Sequence, residues 1–257
     1  MSRVVSWFSC GAASAVATKL ALAEHNDVVI AYTEVANEHP DNKRFLADCE
    51  KWFGQEIIIL RNERYNADIR EVFKQEKFIA GPHGAPCTRL LKRQMRVFFE
   101  EEDDLQIFGF TDEEKHRADR LLVNNSYMNA QFPLIQKNLS KSDCLAMIDR
   151  AGIAIPAMYL LGYRNNNCIG CVKGGAGYWN KIKVDFPIQF AERAADERMV
   201  GHSILKREAG VDADGKRLFE AIYLDELPPE MGKGVPEPDM ECSFFCLQAE
   251  QDIQHTA

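Results

Sequence analysis

Apolar residues recur along the first half of the chain in two alternating rhythms. Short apolar runs at residues 3–8 (RVVSWF), 27–33 (DVVIAYT), 56–60 (EIIIL) and 105–110 (LQIFGF) have the length and the β-branched or aromatic content of buried strands. Between them lie longer stretches with helical spacing. Residues 12–25 are rich in Ala and Leu, 41–53 are amphipathic and closed by Gly54, and 65–77 and 88–101 follow the same period. Strand and helix in alternation predict an α/β fold with a parallel sheet flanked by helices. Ligands in such sheets bind beyond the carboxyl ends of the strands. Residues 9–14, 34–39 and 111–120 all follow predicted strands and are expected to converge there.

After about residue 125 the rhythm changes. Residues 139–152 read as a helix, 156–163 are short and apolar, and 180–210 read as helical again. Between them stands NNNCIGCVKGGAGYW, and near the end Gly232, Gly234, Pro236 and Pro238 precede ECSFFC. The expected division is a first domain over 1–125 and a helical and irregular C-terminal portion over 126–257. That portion carries cysteines and is expected to pack on the ligand edge.

Composition narrows the class. The chain of 257 residues is 46% hydrophobic and 27% charged, ordinary values for a globular enzyme. Its net charge of −8 removes any global basic footprint for nucleic acid. A local basic stretch remains at Arg89, Lys92, Arg93 and Arg96. The apolar start is broken by Ser6 and Ser9 and does not read as a leader peptide, and no apolar run has the length of a membrane span. The expected location is cytoplasmic, with no membrane partner. Thiols in a reducing compartment are core residues, metal ligands or nucleophiles rather than disulfides. Of the 8 cysteines, Cys49 and Cys144 sit inside helical patterns and read as core.

The segment Ser9-Cys10-Gly11-Ala12-Ala13-Ser14 lies between the first predicted strand and the first helix. Small residues let the backbone close around an anion, and the start of a helix offers unpaired N–H groups at the positive end of its dipole. On spacing alone, an anion loop and a plain tight turn are equally good readings. The segment resembles the PP-loop, S-G-G-x-D-S, of the adenine-nucleotide α-hydrolase-like superfamily. Ser9, Gly11 and Ser14 match; Cys10 replaces the first Gly and Ala13 the Asp. That Asp belongs to members that cleave ATP. The phosphoadenylyl-sulfate (PAPS) reductases lack it and carry an S-F-G-A-x-A-A loop, to which SCGAASA is similar.

Further segments extend the resemblance to PAPS reductases. Glu38-His39-Pro40 is similar to the acidic element that the family places near adenosine. Gly109-Phe110-Thr111 with Glu114, Arg117 and Arg120 is similar to G-x-R-x-x-E-S-x-x-R, with Thr111 in place of the first Arg. The resemblance implies a Rossmann-like (HUP-type) nucleotide-binding domain and an adenylyl nucleotide ligand. It implies that Ser9, Cys10, Gly11, Ala12, Ser14, Thr33, Glu38, Lys92, Gly109, Arg117 and Arg120 bind the nucleotide. Guanidinium groups suit phosphate and sulfate, while Arg117 and Arg120 also fit an ordinary solvated helix face.

The remaining cysteines form three clusters. Cys87 in PCTRLLK resembles the C-x-x-R-K stretch of the iron–sulfur reductases, where two cysteines stand side by side. Cys168 and Cys171 form C-x-x-C, similar to the start of the family's I-G-C-x-P-C-T. Cys242 and Cys246 form C-x-x-x-C. A glycine-flanked C-x-x-C can present two thiolates to one metal. A zinc site would use Cys168, Cys171, Cys242 and Cys246. The resemblance implies instead a four-iron four-sulfur cluster on Cys87, Cys168, Cys171 and Cys246. Glu241-Cys242 resembles the E-C-G-L-H ending whose cysteine attacks sulfate sulfur, although Ser243-Phe244-Phe245 replaces Gly-Leu-His.

The expected activity is therefore thiol-dependent reduction of a sulfonucleotide to sulfite, with Cys242 as nucleophile and a thioredoxin-like reductant as partner. A second reading is ATP-dependent sulfur transfer or nucleic-acid modification by a PP-loop enzyme with a cluster. A third is a non-catalytic nucleotide-binding protein with structural zinc.

Overall fold

The computed structural model describes residues 3–81, 84–236 and 240. Five parallel strands form one sheet in the order β3-β2-β1-β4-β5: β1 (Val4–Phe8), β2 (Val28–Thr33), β3 (Ile58–Leu60), β4 (Leu105–Ile107) and β5 (Asn129–Gln131). Val4 lies opposite both Val28 and Leu105, which fixes β1 at the centre. The chain builds outward from β1 to β3 on one side, then returns to β4 beside β1 and builds outward again. The reversal places the topological switch point between β1 and β4.

β1 is buried along its whole length, as a central parallel strand must be. Its crossover helix α1 (Ala12–Glu24) is buried at Ala12, Ser14, Ala15, Val16, Ala17, Thr18 and Ala21. This helix lacks an apolar stripe because several of its faces meet protein, and its Ala residues let it lie close to the sheet. Phe8, Phe45 and Phe53 join it in the core with Cys144 and Ile148. The last two belong to α7 (Lys141–Arg150). α2 (Asn42–Phe53) ends on Gly54 in the left-handed conformation, the stop that the sequence predicts.

The chain forms two compact units. Residues 1–67 and 91–167 make the first, which contains the whole parallel sheet; 68–90 and 168–257 make the second. The expected boundary at 125 falls between α5 (Lys115–Asn124) and β5, inside the first unit. β5 has only three residues, Asn129-Ala130-Gln131, and no apolar run, so hydrophobic pattern gave no sign of it. Residues 180–210, expected to be helical, contain the ends of α9 (Ala176–Asp185) and α10 (Pro187–Val200) and then a strand. Pro187 starts α10 at a position where its missing N–H costs nothing. β6 (Leu205–Val211) and β7 (Arg217–Ile222) pair antiparallel as a separate ribbon. Glu197, fully buried, accepts from the amides of Ile204 (2.5 Å) and Leu224 (2.6 Å) and ties down the ribbon's root. No helix among the described residues is long and apolar enough to cross a membrane.

One ion pair anchors the central strand to the chain leading into β4. Arg3 donates through Nε to Asp104 Oδ1 (2.9 Å) and through Nη2 to Oδ2 (2.7 Å). Burial would raise the Asp104 carboxyl, but the hydrogen bond and charge of Arg3 outweigh it and hold the group below its ordinary 3.8. A carboxyl depressed on folding stabilises the protein above its unfolded pKa, and the contribution is lost as pH falls through the folded value. Asp104→Asn is expected to cost about 2 kcal/mol near neutrality. Its deficit relative to wild type should shrink in denaturant titrations carried below pH ~4; a deficit independent of pH would contradict this.

Candidate functional site

The first unit places eight of the expected nucleotide-site residues at the carboxyl edge of the sheet or in the turns and first helical turn that follow it, with Lys92 joined to them by an ion pair to Glu38, and with Arg117 and Arg120 on α5. Ser9 is exposed at the end of β1; Cys10 has φ 58 and Gly11 caps α1. The hydroxyl of Ser14 organises this loop from within. It accepts from the Ser9 amide (3.1 Å), the Ser9 hydroxyl (3.1 Å) and the Gly11 amide (3.3 Å), and donates to the Gly11 carbonyl (3.0 Å). Ser14 therefore shapes the loop, and Ser9 carries the exposed hydroxyl. The first turn of α1 supplies the amides of Ala12, Ala13 and Ser14, which have no helical carbonyl to bond.

Gly109, just past β4, closes the switch point. A β-carbon there would lie 2.6 Å from Ser14 Cα, 2.7 Å from Ser14 N and 2.9 Å from the Ala13 carbonyl carbon. Only glycine allows the backbone after β4 to rest on the first turn of α1.

Beneath the loop runs a buried polar chain. Cys10 donates its thiol to the Asn42 carbonyl (3.3 Å). Asn166 Nδ2 donates to the Cys10 carbonyl (2.7 Å) and to Asn42 Oδ1 (2.8 Å). Asn42 Nδ2 (2.9 Å) and the Tyr32 hydroxyl (2.8 Å) both donate to Glu38 Oε2. Lys92 Nζ reaches Glu38 Oε1 at 3.4 Å, and both residues are buried. Burial, reinforced by the Glu38 carboxylate, pushes the Cys10 thiol well above its ordinary range. Cys10 thus enters the site through its backbone, and its sulfur is a neutral packing atom. Thr33, at the end of β2, is 2% exposed and its hydroxyl oxygen has no hydrogen-bond partner.

Tyr159, on the short helix α8 (Ala157–Leu160), lies over the loop. Its hydroxyl oxygen stands 3.2 Å from where a Gly11 β-carbon would be. Burial pushes the phenol up to about 12, against the pull of the Ala12 and Asn166 backbone amides facing its oxygen. It therefore stays protonated at neutral pH.

After β4, Thr111 caps a helical turn by donating its amide (3.1 Å) and hydroxyl (3.2 Å) to Glu114 Oε2. Arg117 pairs with Glu114 and lies over the Phe110 ring at 4.8 Å. Arg120 is exposed on α5. His39 accepts the Asp41 amide at Nδ1 (3.1 Å), the geometry of a turn residue.

Cys87, Cys168 and Cys171 all belong to the second unit and all are buried. The Cys168–Cys171 turn has Gly170 at φ 69. Its backbone is clamped by Tyr178, whose hydroxyl accepts from the Cys171 amide (2.9 Å) and donates to the Cys168 carbonyl (3.3 Å). Arg193, 1% exposed, donates through Nη1 to Asp196 Oδ2 (2.6 Å), and Arg70 holds the other side of Asp196. Burial pushes Asp196 up and works against the charge on Arg193; a guanidinium in a protein keeps its proton.

Among the described residues, no group of three or more His, Cys, Asp or Glu gathers closely enough to hold a single metal ion, so Cys87 does not complete a mononuclear site with Cys168 and Cys171. Cys242 and Cys246 lie outside the described residues. The turn itself suits a soft metal in part. It offers two thiols, and Arg193 Nε, 3.8 Å from where a Gly170 β-carbon would be, is a buried donor without an acceptor. Such a donor suits anionic sulfur.

A small-residue loop on the central strand, at the switch point of a five-stranded parallel sheet, defines a Rossmann-like protein of the PP-loop class. The family model described as the phosphoadenosine phosphosulfate reductase domain matches residues 3–174, and the chain belongs to that family. No curated protein matches it.

Reasoning from sequence missed Asn42, Asn166 and Tyr159. Asn166 stands in an Asn-rich stretch just before Cys168, and Tyr159 in a short apolar run. Neither position has a periodicity or motif that marks it.

Proposed function

We propose that the chain is an adenylyl-sulfate reductase. The loop after β1 carries this reading: a small-residue turn leads into the first-turn amides of a 13-residue helix, inside a family match that reaches residue 174. The nucleotide phosphates would rest on the amides of Ala12 to Ser14, with Ser9 adding a hydroxyl. Glu38 and Thr33 would line the nucleoside side, and Arg117 and Arg120 would offset the negative charge.

In the chemical step, the thiolate of Cys242 attacks the sulfate sulfur. A sulfur–sulfur bond forms and the bond from sulfur to the bridging phosphate oxygen breaks, so the nucleotide leaves with that oxygen. A thioredoxin-like dithiol then attacks the cysteine sulfur of the thiosulfonate. Sulfite departs with the bonding pair, the dithiol is oxidised to a disulfide, and Cys242 returns as a thiol. Cys87, Cys168, Cys171 and Cys246 would hold a four-iron four-sulfur cluster, which leaves Cys242 for the reaction; a zinc ion on Cys168, Cys171, Cys242 and Cys246 would go with the non-catalytic alternative. When bound, such a centre supplies positive metal charge that lowers the pKa of a neighbouring thiol.

The test is sulfite release from adenosine 5′-phosphosulfate and its 3′-phosphorylated form, with thioredoxin as reductant. Wild type should release sulfite, and Cys242→Ser should lower the rate at least ~1000-fold, the scale of losing a nucleophile. Absence of turnover in chain isolated without oxygen would refute the reading. The tail departure at Ser243-Phe244-Phe245 favours one competitor, a PP-loop sulfur transferase. That enzyme would release pyrophosphate from ATP only when RNA or DNA is added.

A further inference from the structure

α9 and α10 lie beyond the matched stretch, yet two of their side chains sit beside the Cys168–Cys171 turn. A β-carbon at Gly170 would stand 3.2 Å from the Trp179 ring and 3.8 Å from Arg193 Nε. Trp179 is 0% exposed and Arg193 1% exposed, and neither Trp179 Nε1 nor Arg193 Nε has an acceptor. Buried donors are nearly always satisfied in folded proteins, and an orphan is costly, more so on a charged group.

The guanidinium is not there by default. Asp196 grips its Nη1, Arg70 backs Asp196, and Glu192 pairs with Arg70, so three charged side chains hold it in the interior. Its Nε edge is the one left over, and it lies toward the turn that Tyr178 fixes. Metal-bound thiolates carry excess negative charge and accept N–H bonds from their surroundings, which tunes and retains the metal.

We propose that the Cys168–Cys171 turn carries metal-bound, anionic sulfur and that Arg193 is the positioning residue that donates to it and offsets its charge, while the Trp179 ring packs against the turn. This rests on the cysteine-ligated metal in the reading above, and not on the nucleotide chemistry of the first unit.

The test uses the full chain isolated without oxygen. Iron and zinc are counted per chain, and the rate at which a chelator removes the metal is followed in wild type, Arg193→Met, Arg193→Lys and Trp179→Phe. Wild type should hold metal. Arg193→Met should lose it at least ~10-fold faster, the lower range for removing an outer partner of a metal site. Arg193→Lys, which keeps the charge and a donor, should recover most of the difference, whereas a purely structural arginine would not be rescued. If Arg193→Met fails to fold, Arg193→Gln, which also removes the charge, is read in its place and should release metal at least ~10-fold faster, while Trp179→Phe serves as a packing control and should match wild type. Metal-free wild type, or equal release rates across the folded variants, would overturn the proposal. Nucleotide titration of wild type separates the two claims: metal retained without nucleotide binding refutes the nucleotide reading alone.

Discussion

Gly109→Val is expected to abolish adenylyl-nucleotide binding and to destabilise the fold by about 3 kcal/mol. The side chain would have to begin 2.6 Å from Ser14 Cα and 2.7 Å from its amide nitrogen. Those are backbone atoms, so no rotamer change relieves the clash; the first turn of α1 must move away from β4. The same turn presents the amides that the nucleotide phosphates need, and small displacements of such donors are expensive. Stability is read from urea unfolding and affinity from calorimetric titration. A variant that binds with wild-type affinity would show that the close approach is incidental.

Glu38→Ala should have the second largest effect, about 3 kcal/mol of stability, the scale of removing one partner from a buried ion pair. The carboxylate does three things at once: it accepts from Tyr32, accepts from Asn42 and faces Lys92. Asn42 in turn is held by Asn166, which also bonds the Cys10 carbonyl, so the effect should spread into the phosphate loop. Glu38→Gln keeps hydrogen-bond acceptance but loses the charge. It should recover part of the stability, and the difference between the two variants isolates the ionic part. Equal losses in both would mean that charge matters little and that shape and hydrogen bonding dominate.

The legible part of this protein is the part in which one physical signal is enough. The strands at Val4–Phe8 and Val28–Thr33 are short, mostly apolar runs, and Gly54 marks the end of α2 through its left-handed backbone. β5 was invisible because an edge strand of three residues needs backbone pairing with β4 and no hydrophobic face. Most of β6 was read as helix and β7 was not assigned, because the side chains of this ribbon are almost all exposed and leave no alternation of buried and open positions to detect.

The candidate site was legible, through the resemblance, at Gly109, where backbone packed on backbone leaves room only for glycine. It was illegible where a side chain acts through a long-range contact. Asn166 bonds Cys10 across 156 positions, and nothing near Asn166 in sequence announces that bond. Arg193 has the look of an ordinary charge on a helix, and only burial with an unsatisfied Nε separates it from its exposed neighbours.

The central claim is that an adenylate seats its phosphates on the amides that open α1. The direct measurement is titration of uniformly ¹⁵N-labelled protein with adenosine 5′-phosphosulfate, following backbone amide resonances. The account predicts the largest saturable shifts at Gly11, Ala12, Ala13 and Ser14, with Gly109 responding through its contact with Ser14. Saturable binding that leaves those resonances in place, or no binding at all, would contradict it.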